Sequence, residues 1–262
     1  MKGTMVIAWK EIKGFVLRPA FYVICFLLTV LFSYGFNISV IQFVQMTGAG
    51  AAHQGMAGAA QQSNIHYMVF LKQLSMLNLL MIFAVPALTM KLFSEEKKMR
   101  TFDLLLTAPV SSLQIVIGKF IAAASAVLFI VLLSMLYPIS TALFIDKINW
   151  VPLFISYFGL FLVGLVYVSM NLFCSSLTES MLIAFFMSVI LNVSIWFIGM
   201  GVEIVDSQLA RQIFEHISLN SHLSGLVEGT IRSQGLVFLF SMIGLFIFLC
   251  ERVVESHRWR SS

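Results

Sequence analysis

The chain has 262 residues, 60% hydrophobic and only 11% charged, with a net charge of +4. A soluble domain carries about 25% charged residues, so the composition excludes a soluble globular protein and leaves no room for a separate soluble domain. The basic residues flank apolar runs, which assigns them to a membrane surface and not to nucleic acid.

Residues 1–18 come first. Met5, Trp9, Ile12 and Val16 recur at helical spacing, with Lys10, Glu11 and Lys13 elsewhere on the wheel. This predicts an amphipathic helix in the membrane interface, with Trp9 at headgroup depth and Lys10 and Lys13 on its polar side. A frayed charged tail is the plain alternative. Pro19 then opens an apolar run of about 25 residues, too long for a cleavable signal.

A membrane core takes about 20 apolar residues per helix. Six segments qualify, at 20–43, 67–92, 116–144, 150–173, 180–202 and 235–251. The fold expected is therefore an all-α integral membrane protein in one domain, residues 1–262. The last segment is the shortest. Pro86 and Pro138 should kink the second and third spans. The asparagines within the spans, Asn37, Asn78, Asn171 and Asn192, read as hydrogen-bonding groups between helices, and Lys72 as a residue that snorkels near the outer end. Residues 45–64, rich in Gly and Ala, read as an outer loop, and 203–234 as short helices on the outer face. Cys25, Cys174 and Cys250 have no CxxC spacing and read as buried apolar residues.

With six spans both termini share a side. That side holds Lys2, Lys10, Lys13, Arg18, Lys91, Lys97, Lys98, Arg100, Lys119, Arg252, Arg258 and Arg260; the other holds Lys72, Lys147, Arg211 and Arg232. The excess of Lys and Arg predicts cytoplasmic termini.

The densest charge lies in "SEEKKMRTFDLLLTAPVSSLQIVIGK", residues 94–119. Ser94 followed by Glu95 and Glu96 reads as a helix start, and Glu96 with Arg100 as an i,i+4 pair. Met99, Phe102, Leu105 and Leu106 share its apolar side. Ala108-Pro109 should stop the helix, and Ser111 or Ser112 should cap the next. A solvated turn is the bland reading, and a helix that docks a cytoplasmic partner is the functional one.

No Walker A motif, HExxH or GxSxG occurs. Glu95, Glu96 and Arg100 do match the EExxxR of CAAX-type intramembrane proteases. His216 and Asn220 even supply an HxxxN, but FxxxH is missing and the topology separates Glu95 from His216 by a bilayer.

The stretch "FSEEKKMRTFDLLLTAPVSSLQIVIGKF" resembles the conserved-type segment of type-2 ABC exporter permeases, on Glu95, Glu96, Thr101, Asp103, Leu104–Leu106, Thr107, Pro109, Val110, Gly118 and Lys119. The N-terminal "AWKEIKGFVLRPAFYV" and the outer "ISLNSHLSGLVEGTI" resemble that family too, closest to its gliding-motility-associated branch. The resemblance implies a permease that binds no cofactor itself. It pairs with a second permease copy, as a homodimer in the inner membrane, above two separate ATPase subunits that bind ATP and Mg. It further implies a coupling helix within 94–110 that docks the ATPase through Glu95, Glu96, Met99, Arg100, Phe102, Leu105 and Leu106, and an outer lid carrying Asn220, His222 and Glu228. An exporter of lipid-like or amphipathic cargo is the first reading. A complex that transmits force to an auxiliary membrane or extracytoplasmic protein without transport is the second.

Overall fold

A computed structural model describes residues 2–52, 69–102, 110–143, 148–204, 218, 219, 223, 225, 226 and 232–260. Helices make up its elements: α1 Lys2–Leu17, α2 Pro19–Ala52, α3 Leu71–Thr89, α4 Lys91–Lys98, α5 Ser112–Ala142, α6 Trp150–Leu177, α7 Met181–Ile204 and α8 Ser233–Arg260. Among the described residues six helices are long and apolar enough to cross a membrane, α4 continuing the span that α3 begins. The chain is an all-α integral membrane protein. The last span, expected to be short, runs Ser233–Arg258, because its helix continues through the charged residues beyond 251.

The spans form two groups. The most apolar stretches of α3, α5 and α6 are 61%, 56% and 61% buried, while those of α2, α7 and α8 are 22%, 17% and 22% buried. Helix α6 is the hub and packs on α3, α4, α5, α7 and α8. Its Gly164 lets α5 approach: a Cβ there would lie 2.6 Å from Val127 Cγ1. The outer spans keep apolar faces such as Phe26, Phe186, Ile190 and Phe240 exposed, as a lipid solvent allows.

Both span-interior prolines are matched by a polar side chain from another helix. Pro86 lacks the N–H that would bond Ile82 O four residues back, and Asn192 Nδ2 of α7 donates to that carbonyl at 3.3 Å. Pro138 likewise frees Ser134 O, and Tyr157 OH of α6 donates to it at 3.1 Å. In lipid no water takes such a carbonyl, so a neighbouring helix must. Asn78 accepts from Tyr167 OH at 3.3 Å, and Lys72 Nζ donates to Gln42 Oε1 of α2 at 2.8 Å.

Helix α1 lies across the start of α5. Gly118 permits this, since a Cβ would meet Ile7 Cγ2 at 2.9 Å and Thr4 O at 3.0 Å. Ile7 and Ala8 are buried there, while Met5, Trp9 and Val16 are 69%, 60% and 51% exposed, leaving an apolar stripe for the membrane interface. Helix α1 ends before Arg18, and Pro19 opens α2, where its missing N–H costs nothing.

Three expectations are corrected. Residues 46–52 continue α2 and do not belong to a loop, because the alanines sustain a helix already propagating from the span; 53–64 lie outside the described residues. Ser94 does not start a helix. The chain stays helical through Met90, whose N–H bonds Pro86 O at 2.9 Å, so Ser94 sits inside α4 with its hydroxyl donating to Met90 O. Glu96 and Arg100 form no ion pair, because α4 ends at Lys98 and Arg100 turns left-handed with φ 54°. The bonds Thr101 N–H to Glu96 O (3.0 Å) and Arg100 N–H to Lys97 O (3.1 Å) complete a Schellman end, with arginine where glycine is usual.

Candidate functional site

The described charged residues of the 94–119 stretch gather at one end of the bundle, where α1, the α3–α4 junction, the start of α5 and the end of α8 meet. Lys119 is the centre. It is fully buried, and its Nζ lies 2.8 Å from Glu96 of α4 and 3.2 Å from Glu11 of α1. It also donates to Leu92 O and stands 5.0 Å from the centroid of Phe93. A buried ammonium needs such a shell, since an unpaired charge there would cost several kcal/mol (about 3–5). Lys10 adds a second cation to Glu96 at 3.4 Å, and Arg18 pairs with Glu95 at 2.9 Å. Helix α1, the end of the second span and the start of the third are thereby fastened together.

The opposite side of α4 is fastened to α6 and α8. Ser175 Oγ donates to Met90 O at 2.9 Å and accepts from the N–H groups of Phe93 and Ser94 at 3.2 and 3.3 Å. Lys97 donates to Ser176 O and to His257 Nε2, the latter at 3.1 Å. His257 can accept there because its Nδ1 lies 3.0 Å from Val253 O and donates to it. Phe102 closes the group, edge-on to Phe93 at 6.2 Å and to His257 at 6.1 Å. Ser112 donates to Glu255, so α8 also holds the start of α5. Ser111 caps that helix in a capping box with Gln114.

The residues expected to dock a partner therefore divide. Met99 is 68% exposed and Arg100 is exposed beside it. Phe102 is 3% exposed and faces inward, because the left-handed Arg100 swings the chain back onto the bundle. Glu95 and Glu96 are held by Arg18 and by Lys119 with Lys10, so neither carboxylate is free to share a water as the EExxxR reading requires. Leu105 and Leu106 lie outside the described residues, as do Asn220, His222 and Glu228 of the outer segment. On α1, Trp9 is exposed with Lys13 over its ring at 5.4 Å, and Lys10 turns to Glu96. In the outer segment Leu219, Leu223 and Leu226 are buried, and Leu226 packs over Gly159 of α6.

Sequence reading missed Glu11, Arg18, Lys119, Ser175 and His257 as partners. Helical periodicity marks a face, but it does not say which charge on another helix meets it. Gly118-Lys119 did carry a signal: a glycine followed by a lysine at the start of an apolar run.

A multi-pass helical bundle with charge gathered at one end, under α1, defines an all-α integral membrane protein. Residues 5–249 match the model of the ABC-2 family transporter protein family. The chain belongs to that family and is a membrane permease subunit of an ABC transporter, which implies an ABC ATPase subunit as its partner. A comparison with curated proteins found no match.

Proposed function

We propose that the chain is the transmembrane half of an ATP-driven exporter in the inner membrane, with the basic end and both termini in the cytoplasm. Two copies pair, and two separate ATPase subunits, which bind ATP and Mg, dock beneath them. The motif resemblance favours the gliding-motility-associated branch. One observation carries the reading: α4 is tied on one side to α1 and α5 through Glu95, Glu96 and Lys119, and on the other to α6 and α8 through Ser175 and Lys97. A push on the segment after Lys98 is thus shared among the spans as rigid-body motion. The exposed apolar faces of α2, α7 and α8 suit pairing with a second copy and lipid-like or amphipathic cargo.

Docking falls to the outward residues, Met99 and Arg100, with Glu95 beside them. Met99→Asp, on a largely exposed side chain, is expected to cut copurification of the cognate ATPase at least tenfold without lowering the melting temperature of the permease. Undiminished copurification sinks the docking assignment. Stimulation of ATPase activity by added lipid, against stimulation by an outer partner protein, separates export from force transmission.

A further inference from the structure

Between α1 and the α3–α4 junction lies a cleft of about 270 Å³, with Gly14, Phe15, Leu88 and Met99 among its apolar lining and Arg18 and Lys91 among its charged lining. Its depth is fixed by the sequence. The apolar run of α2 begins just after Arg18, and that of α3 ends just before Lys91. The cleft therefore straddles the level where acyl chains meet headgroups.

Its lining holds three cations, Lys10, Arg18 and Lys91, and three carboxylates, Glu11, Glu95 and Glu96, but these do not pair off one to one. Glu95 stands one helical turn from Lys91 but pairs with Arg18, at 2.9 Å. Glu11 and Glu96 are satisfied by Lys119 and Lys10. The buried Lys119, which does not line the cleft, thus takes up carboxylate charge from behind its wall, and Lys91 is left without an ion-pair partner among the described residues.

Gly14 adds an independent observation. It sits in the interior of α1, where glycine is a poor helix former. Gly118 and Gly164 admit a neighbouring helix, and Gly244, which meets nothing, stands on an exposed face of α8, whereas Gly14 lines the cleft. A Cβ on Gly14 would meet nothing within 4 Å. The missing side chain keeps the cleft open where no part of this chain fills it.

We propose that this cleft seats an anionic phospholipid of the surrounding leaflet, its phosphate on Lys91 and Arg18 and the start of its chains over Gly14, Phe15 and Leu88. The lipid would lie against the ion pairs that fasten α1 to α4, and so make the permease sensitive to leaflet charge. The proposal rests on the membrane placement of the chain and not on ATPase docking.

The test uses the full chain, delipidated in detergent. Phosphatidylglycerol is expected to raise its melting temperature by about 2–4 °C. Phosphatidylcholine and inorganic phosphate should leave it unchanged. Lys91→Gln should lose the gain, while Lys72→Gln, at the other end of the bundle, should keep it. Gly14→Leu should melt higher without lipid, being a better helix former in open space, yet show no further gain. An equal gain from phosphatidylcholine, a gain reproduced by phosphate alone, loss of the gain in Lys72→Gln, or its retention in Lys91→Gln or Gly14→Leu, each overturns the proposal.

Discussion

The chain joins its helices with polar groups in two places, and the two differ in kind. In the middle of the bundle the groups are neutral. Asn192 and Tyr157 each mend one carbonyl that a proline left open. At the basic end the groups are ionised, and Glu11, Glu96 and Lys119 bind three helices at once. A neutral bond in lipid closes an open carbonyl and has nothing else to exchange with. The ion pairs at the end are edged by solvent, since Glu11 and Glu96 are 18% and 16% exposed, so water and neighbouring cations can exchange with their partners. The middle keeps shape, and the end can re-pair.

The largest effect should come from the end. Lys119→Met leaves Glu11 and Glu96 facing each other with only Lys10 to share, and is expected to destabilise by about 3 kcal/mol. That corresponds to a fall of about 6–12 °C in the melting temperature measured in detergent. Combining it with Glu11→Gln and Glu96→Gln removes the whole charge group, and most of the loss should return, because an ion-pair group and its neutral replacement are close in energy. A triple variant as unstable as the single one would mean that Lys119 matters through packing on Phe93 and not through charge.

Smaller changes are expected in the middle. Tyr157→Phe removes one donor from Ser134 O and should cost about 1 kcal/mol, within the range for hydrogen bonds between membrane helices. Pro138→Ala restores the helix's own N–H to that carbonyl, so the double variant should lose less than Tyr157→Phe alone. A double-mutant cycle by thermal unfolding measures the difference. Asn192→Leu with Pro86→Ala should follow the same pattern more weakly, because Asn192 Oδ1 has no partner to lose. Additive losses in both cycles would break the contrast, since the side chains would then not be serving the prolines.

How much of this is legible in the sequence differs between the same two regions. The six spans are legible because apolar runs of that length have no other stable home. The open carbonyls are legible from Pro86 and Pro138 alone. Their menders are half legible: Asn192 stands out as polar in an apolar run, whereas Tyr157 does not. At the end, the gathering of charge is plain, but its pairing is not, because Glu11 and Lys119 are brought together only when Gly118 admits α1. Ser94-Glu95-Glu96 has the composition of a helix start, yet no breaker precedes it, so the helix of the second span runs through. Phe102 fell on the expected apolar side by spacing. Only the left-handed Arg100 turns that side inward, and arginine gives no warning of it.

The smallest effect should come from Arg18 and Glu95, and it tests what joins α1 to α4. Their side chains are 49% and 33% exposed, so water and salt screen the pair. Arg18→Gln should change stability by only about 0.2–1 kcal/mol, and by less as salt is raised. The pair nevertheless spans the junction between α1 and α4, and it is the contact that leaves Lys91 unmatched. Freed from Arg18, Glu95 has Lys91 one turn away on its own helix. Arg18→Gln is thus expected to preserve the fold and yet loosen α1 from α4, seen as faster amide hydrogen exchange in α1 and no change in α6. The charge-swapped pair Arg18→Glu with Glu95→Arg should restore slow exchange. If α1 exchanges as slowly in Arg18→Gln as in the parent chain, the junction is held by Lys119 alone and the exposed pair contributes nothing to it.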